Sequence, residues 1–253
     1  MKKKIKKVLI VIGVVMLILI VGVGYFIYQD LKQEDILKQE VIDWSNKDLV
    51  NDNFDIEIQT TGDYAYVENA VKKFYKELSD NVKTLEYSLD NDDLINILSL
   101  DNLQKDRPSF NHSHQVLNIV KTDATKAIEN ISRLCDKEYV KNLLDKDKVS
   151  EYYIDFYQRL MYTEQDLKEL KQTKEEMQEL STNLNLFLDK VDEILRMLEK
   201  NNSFWFIENN QIYFETDELV NEYNTLYQEL KTITVEKLHS NEYSNSYEKD
   251  ANV

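Results

Sequence analysis

The sequence predicts a mainly α protein, in which an N-terminal transmembrane helix leads into an elongated antiparallel bundle of about four long helices. A small β-hairpin or a helical turn is expected near residues 204–214. Three observations carry this reading. Only four Gly and one Pro occur in 253 residues, too few for the tight turns that sandwiches, barrels and α/β folds consume. Apolar residues recur at spacings of three and four over most of the chain, the period of an amphipathic helix. One run, Val8 to Tyr28, carries 21 residues without a charge.

At about 1.5 Å per residue that run covers about 30 Å, the thickness of a bilayer hydrocarbon core. Tyr25 and Tyr28 stand at its far end, where amphipathic rings favour the interface. Lys2, Lys3, Lys4, Lys6 and Lys7 stand at its near end and should be retained in the cytoplasm, leaving the rest of the chain outside. A cleaved signal peptide is the competing reading, with Gly22 and Gly24 as small residues, although its apolar region usually has only about 7 to 15 residues. The expected organisation is a cytoplasmic tail at 1–7, an anchor at 8–28, a stalk at 29–62, an extracytoplasmic bundle at 63–239 and a disordered tail at 240–253. So short a cytoplasmic tail holds no output domain, and any message from outside would pass to another membrane protein.

The formal net charge is −16, and without the five lysines ahead of the run residues 29–253 carry −21. A body this acidic is repelled by nucleic acid and by anionic lipid headgroups. A basic partner or cations would suit it, and so would a plainly solvated surface. Cys135 is the single cysteine, so no disulfide forms within the chain and packing must hold the fold. It adjoins Leu134 beside an apolar stripe and reads as a half-buried thiol.

The elements follow in order. Residues 29–50 continue the anchor as a helix with a ragged stripe of Leu31, Ile36, Leu37, Val41, Ile42 and Trp44. Phe54 to Thr60 alternates apolar and polar, the signature of a half-buried strand with Phe54, Ile56 and Ile58 on one face. From Asp63 the period becomes helical, with Val67, Val71, Phe74, Leu78, Val82, Leu85 and Leu89 on one face. Asp90, Asn91, Asp92 and Asp93 lack the glycine and distal Glu of a calcium loop and read instead as the cap of a short helix over Leu94 to Leu103. After Pro108, a pattern through Leu117, Val120, Ala124, Ala127, Ile131 and Leu134 predicts a helix from Asn111 to Leu144.

Ser150 is the expected N-cap of the longest element, Ser150 to Lys200. Its heptad columns (160, 167, 174, 181, 188, 195 and 163, 170, 177, 184, 191, 198) are apolar at nine of twelve positions, a coiled-coil or bundle seam weakened by Lys174 and Ser181. Trp205 and Ile207 then oppose Ile212 and Phe214 across Glu208, Asn209, Asn210 and Gln211, and Asn tolerates the positive φ of a tight hairpin turn. Thr216 is placed to cap a last helix bearing Leu219, Tyr223, Leu226, Leu230 and Ile233.

Chemical motifs are nearly absent. The chain has no Gly-rich phosphate loop, HExxH, paired-cysteine motif or GxSxG elbow, so no catalytic, cofactor-binding or metal-binding residue is assigned and an enzyme is not expected. His112 and His114 lie two apart, on different faces of a helix, and read as surface histidines. Sequons at Asn111, Asn130 and Asn201 fit chance, and the Lys, Asn, Ile and Tyr bias suggests a low-GC bacterial source, where sequons mean little. Tyrosines such as Tyr152, Tyr153, Tyr157 and Tyr162 suit bundle packing with hydroxyls reaching water.

In an up-down bundle the connector at 90–108 and the segment at 203–214 fall at one end, distal to the membrane. Phe204, Trp205, Phe206, Tyr213 and Phe214 there form the expected interaction tip. The function expected is a membrane-anchored extracytoplasmic interaction module, an accessory or scaffold component of a cell-envelope complex. Its partners would be the bilayer through Val8 to Tyr28, another membrane or envelope protein, or a second copy, and not nucleic acid. A ligand-sensing ectodomain working through a membrane partner is the alternative.

Overall fold

A computed structural model describes residues 30–162 and 164–244. The expected anchor and cytoplasmic tail, and residues 245–253, lie outside these. Among the described residues no helix is long and apolar enough to cross a membrane. The fold is mainly helical with one two-stranded antiparallel hairpin. The described residues divide into two compact units, 30–79 with 136–168 and 80–135 with 169–244. One continuous bundle was expected.

The first unit contains α1 (residues 30–45), α2 (Asp63–Leu89) up to Ser79, α6 (Lys137–Lys141) and α7 (Glu151–Met161). Leu37, Tyr64, Val67, Ala70, Val71, Val140, Leu144, Phe156 and Tyr157 make its core. The presumed stalk therefore contributes to a core: Leu37 is fully buried, and Trp44 packs edge-on against Phe54 at 5.4 Å. The strand expected at Phe54 to Thr60 does not form. The segment has no partner strand among the described residues, Phe54 alone of the three apolar residues is buried, and Ile56 and Ile58 are exposed.

A carboxylate takes the place of a ladder there. Glu68, fully buried on α2, accepts from the Gln59 N–H at 2.9 Å, the Thr60 N–H at 2.8 Å and the Thr60 hydroxyl at 2.6 Å. One turn on, the equally buried Lys72 pairs with Glu68 at 2.6 Å and Glu40 at 2.5 Å and donates to the Glu57 carbonyl at 2.6 Å. Burial opposes the charge on Glu68, but Lys72, Thr60 and the two backbone N–H groups outweigh it and hold its carboxyl below the usual range.

The second unit is a helical bundle of the end of α2, α5 (Asn111–Leu134), most of α8 (Glu164–Lys200) and α9 (Asp217–Ser244), with short α3 (Asp92–Ile95) and α4 (Leu100–Asp106). Asn81 meets Asn130, and Thr84 and Ser88 lie beside Val120 and Asp123, so α2 and α5 run antiparallel. Lys121 meets Asp189 and His114 meets Asp192, so α5 and α8 do the same. Its core takes Leu117, Val120, Ala124 and Ile128 from α5 and Leu184, Leu188, Val191, Ile194, Leu195 and Leu198 from α8. The C-terminal half of the predicted heptad seam is thus buried, and Met177, before it, is only half-buried.

Three expected helices are shorter than their patterns. The pattern over Leu94 to Leu103 divides into α3 and α4, with Asn91 capping α3 through the N–H groups of Asp93 and Leu94, and Ser99 capping α4. That supports the capping reading of the acidic run. The pattern over Asn111 to Leu144 ends at Cys135, because Asp136 caps α6 through the N–H groups of Glu138 and Tyr139. The Ser150 to Lys200 helix breaks at Tyr162, whose backbone is extended (φ −145°, ψ 110°). Ser150 occupies the N-cap position of α7 without a side-chain capping bond. Helical periodicity continues through each break because flanking turns share a buried face, so periodicity alone does not mark the ends. At the other end, α9 runs through Ser240 to Ser244, where a disordered tail was expected.

Candidate functional site

The five aromatic residues of the expected tip fall on the hairpin and its approach. β1 (Trp205–Glu208) pairs with β2 (Gln211–Phe214) through Trp205 with Phe214, Phe206 with Tyr213, Ile207 with Ile212 and Glu208 with Gln211. The turn is set by Asn209 and Asn210, both left-handed at φ 48° and 61°, the geometry of a two-residue hairpin turn that Asn tolerates. The hairpin alternative was therefore the right one.

Alternation then divides the rings. Trp205, Ile207, Ile212 and Phe214 face the core of the unit. Trp205 is buried, its Nε1 donates to the Leu198 carbonyl at 2.8 Å, and its ring stacks on Phe110 at 6.3 Å. That bond satisfies one of the carbonyls left open at the end of α8. The Arg107 guanidinium lies 4.3 Å from the centre of the Trp205 ring and is held by the Asn202 side chain at 3.0 Å and carbonyl at 2.7 Å. Connector and hairpin thus meet at one end of this unit, as the connectivity predicted. Phe214 packs on Tyr223 at 5.3 Å, and burial, with Tyr227 alongside, pushes the Tyr223 hydroxyl up to about 12.

Phe206 and Tyr213 face solvent. Their rings stack at 5.5 Å with planes 14° apart, and they remain 45% and 37% exposed. Phe204, just before the hairpin, is 48% exposed. The Glu215 N–H donates to the Phe204 carbonyl at 2.9 Å, carrying the pairing one residue past the strands. Of the expected tip, Phe204, Phe206 and Tyr213 form an open aromatic face, while Trp205 and Phe214 root it in the core.

A second feature of this unit escaped the sequence. A groove of about 190 Å³ between α5 and α8 is lined by His114, Asn118, Lys121, Asp189, Asp192 and Arg196 among others. His114 Nδ1 lies 2.7 Å from Asp192, Lys121 pairs with Asp189 at 2.5 Å, and Arg196 pairs with Asp192 at 2.6 Å. His114 is partly buried, whereas His112 is exposed and 3.4 Å from Asp93. The spacings 114, 118, 121 on α5 and 189, 192, 196 on α8 are helical-face spacings that could have flagged it, but only tertiary packing sets the two faces against each other. Each cation in the groove already has a carboxylate partner.

Elsewhere, Cys135 is half-buried, and burial pushes its thiol up despite the pull of Lys174. No group of three or more His, Cys, Asp or Glu side chains among the described residues is arranged to hold a metal ion. Compared with protein-family models, with curated proteins and with solved structures, the chain matches none.

Proposed function

We propose that this chain is a membrane-anchored interaction module, held by Val8 to Tyr28 with its helical body outside the cytoplasm. In this reading it serves as an accessory or scaffold component of a cell-envelope complex. The single observation that carries it is the open aromatic face of Phe206 and Tyr213, with exposed Phe204 just before them, on a hairpin whose opposite face packs against the core. Rings exposed singly need no explanation, but a stacked exposed pair on a hairpin rooted in a core, with a third exposed ring just before it in sequence, has the composition of interface anchors. The buried Trp205 and the Asn–Asn turn hold that support in place, so little side-chain order remains to be lost on binding. The uncharged run, the lysines ahead of it and the acidic body support the anchor and its orientation.

The test is co-purification of the full-length protein from native membranes after mild crosslinking. A stoichiometric membrane or envelope partner, lost when Phe206 and Tyr213 are both changed to Ala, is expected. Recovery of the chain with no partner would sink the reading. A second reading, a ligand-binding ectodomain signalling through a membrane partner, draws on the polar groove between α5 and α8. It predicts that a small molecule raises the thermal midpoint of the full-length protein and that Arg196→Ala removes the effect.

A further inference from the structure

The hairpin displays two faces of opposite electrostatic completeness. On the inner face the aromatic ring of Trp205 carries its own cation, Arg107, at 4.3 Å. On the outer face the strand alternation sets Phe206 beside Glu208 and Tyr213 beside Gln211, and exposed Phe204 and Glu215 continue the two rows. The stacked rings therefore sit between two carboxylates, Glu208 on β1 toward the turn and Glu215 just past the end of β2. Each is two residues, about 7 Å of extended chain, from the ring pair.

Among the described residues no ion pair reaches Glu208 or Glu215, and the nearest lysines in sequence, Lys200 and Lys231, lie on α8 and α9. From Asn201 to Leu230 the sequence holds Glu208, Glu215, Asp217, Glu218, Glu222 and Glu229 and no Lys or Arg. The nearby Arg107 is committed to Trp205 and Asn202. Ring faces are electron-rich and attract guanidinium or ammonium groups, and flanking carboxylates reinforce that attraction. Resting on the interaction reading above, we infer that the outer face of the hairpin receives an arginine or lysine side chain from an extended basic segment of the partner protein. The cation lies over the Phe206–Tyr213 pair and is neutralised by Glu208 and Glu215. Arg is favoured over Lys, because its planar guanidinium stacks on a ring while still donating to a carboxylate.

The test uses full-length protein in detergent micelles and two fluorescein-labelled peptides of alternating threonine and arginine or threonine and citrulline. Citrulline keeps the shape of arginine and removes the charge. The arginine peptide is expected to bind about tenfold tighter, with affinity falling as salt rises. Changing Phe206 and Tyr213 to Leu keeps apolar bulk without a ring face and should weaken the arginine peptide about fivefold to thirtyfold. Glu208→Gln with Glu215→Gln, which leaves the rings untouched, should weaken it severalfold. Glu175→Gln with Glu179→Gln, an exposed pair on α8 remote in sequence, should leave it unchanged.

Equal binding of the citrulline peptide, or equal weakening by the α8 pair, would overturn the inference, the first by removing the cation and the second by assigning the attraction to net charge. Failures of the two readings are separable in the crosslinking experiment. A partner that needs the rings but tolerates Glu208→Gln with Glu215→Gln leaves the interaction module standing and removes the cation. Loss of every partner removes both.

Discussion

In the unit formed by residues 30–79 and 136–168, Thr60, Glu68, Lys72 and Ser79 are buried, and Glu68 and Lys72 are sealed almost completely from water. In the unit formed by residues 80–135 and 169–244, Ser113 is the one buried polar residue among those described, and the charged pairs of α5, α8 and α9 lie at the surface. The difference follows from what each core covers. The first packs against an irregular stretch, residues 46–62, whose backbone N–H groups have no helix or ladder to enter. Backbone groups set against a core must be paired: Glu68 and Gln33 accept from the N–H groups of Gln59, Thr60 and Thr61, and Lys72 and Ser79 donate to the carbonyls of Glu57 and Leu49. The second unit satisfies most of its backbone within its helices and hairpin, with side-chain bonds confined to helix ends and connectors, so its core is mainly aliphatic.

One tryptophan lies in each unit, Trp44 in the first and Trp205 in the second. Trp205→Phe and Trp44→Phe variants therefore report the two units separately by fluorescence during urea unfolding. The largest effect should come from Lys72→Met, which strands the buried Glu68 carboxylate and should destabilise the first unit by about 3–5 kcal/mol. A loss under about 1 kcal/mol in the Trp44 signal would mean that the pair is not buried as described. Leu195→Ala, which opens a cavity where α8 is fully buried, should cost the second unit about 2–5 kcal/mol, read from Trp205.

Acid should separate the units further. Because the Glu68 carboxyl is held below its ordinary value of 4.5, its stabilisation is complete above that value. It is lost as pH falls through the depressed value in the folded chain. The Trp44 midpoint should therefore decline below about pH 4.5, and Glu68→Gln should flatten this decline while lowering stability at neutral pH. Asp106 acts with the same sign in the second unit. Burial opposes its charge, but the Ser113 hydroxyl and the N–H groups of Ser113 and His112 win and hold its carboxyl low. Asp106→Asn should cost about 1 kcal/mol, the scale of a lost helix cap. The smallest effect belongs to Lys190→Ala. Lys190 bridges Glu193 and Glu229 near the surface and should contribute at most about 1 kcal/mol, fading with salt.

Much of this fold is legible in local pattern. The stripe Leu117, Val120, Ala124, Ala127, Ile131 and Leu134 is buried throughout, and the Asn–Asn hairpin turn and the Asn91 cap are where residue chemistry puts them. The failures share a cause. The alternation at Phe54 to Thr60 looks like a strand, but a strand needs a partner ladder, and here a carboxylate from α2 offered a better set of acceptors. The breaks at Cys135 and Tyr162 keep helical periodicity on both sides, so they leave no mark in the pattern. The ragged stripe of residues 30–45 was too weak to show that Leu37 and Trp44 belong to a core. At the tip, the sequence placed five rings together but not their division between core and solvent.

The sequence by itself determined the helical class, the acidic character of the chain and the capping role of the run at Asp90 to Asp93, and it offered the hairpin as one of two readings of residues 204–214. These rest on interactions within a few residues, namely periodicity, φ preference and side-chain bonds to nearby backbone. Tertiary structure decided the division into two units, the burial of Glu68 with Lys72, the groove between α5 and α8 and the exposure of Phe206 with Tyr213. Each of those depends on groups far apart in the chain, whose burial and charge cannot be assigned until packing has brought their neighbours into place.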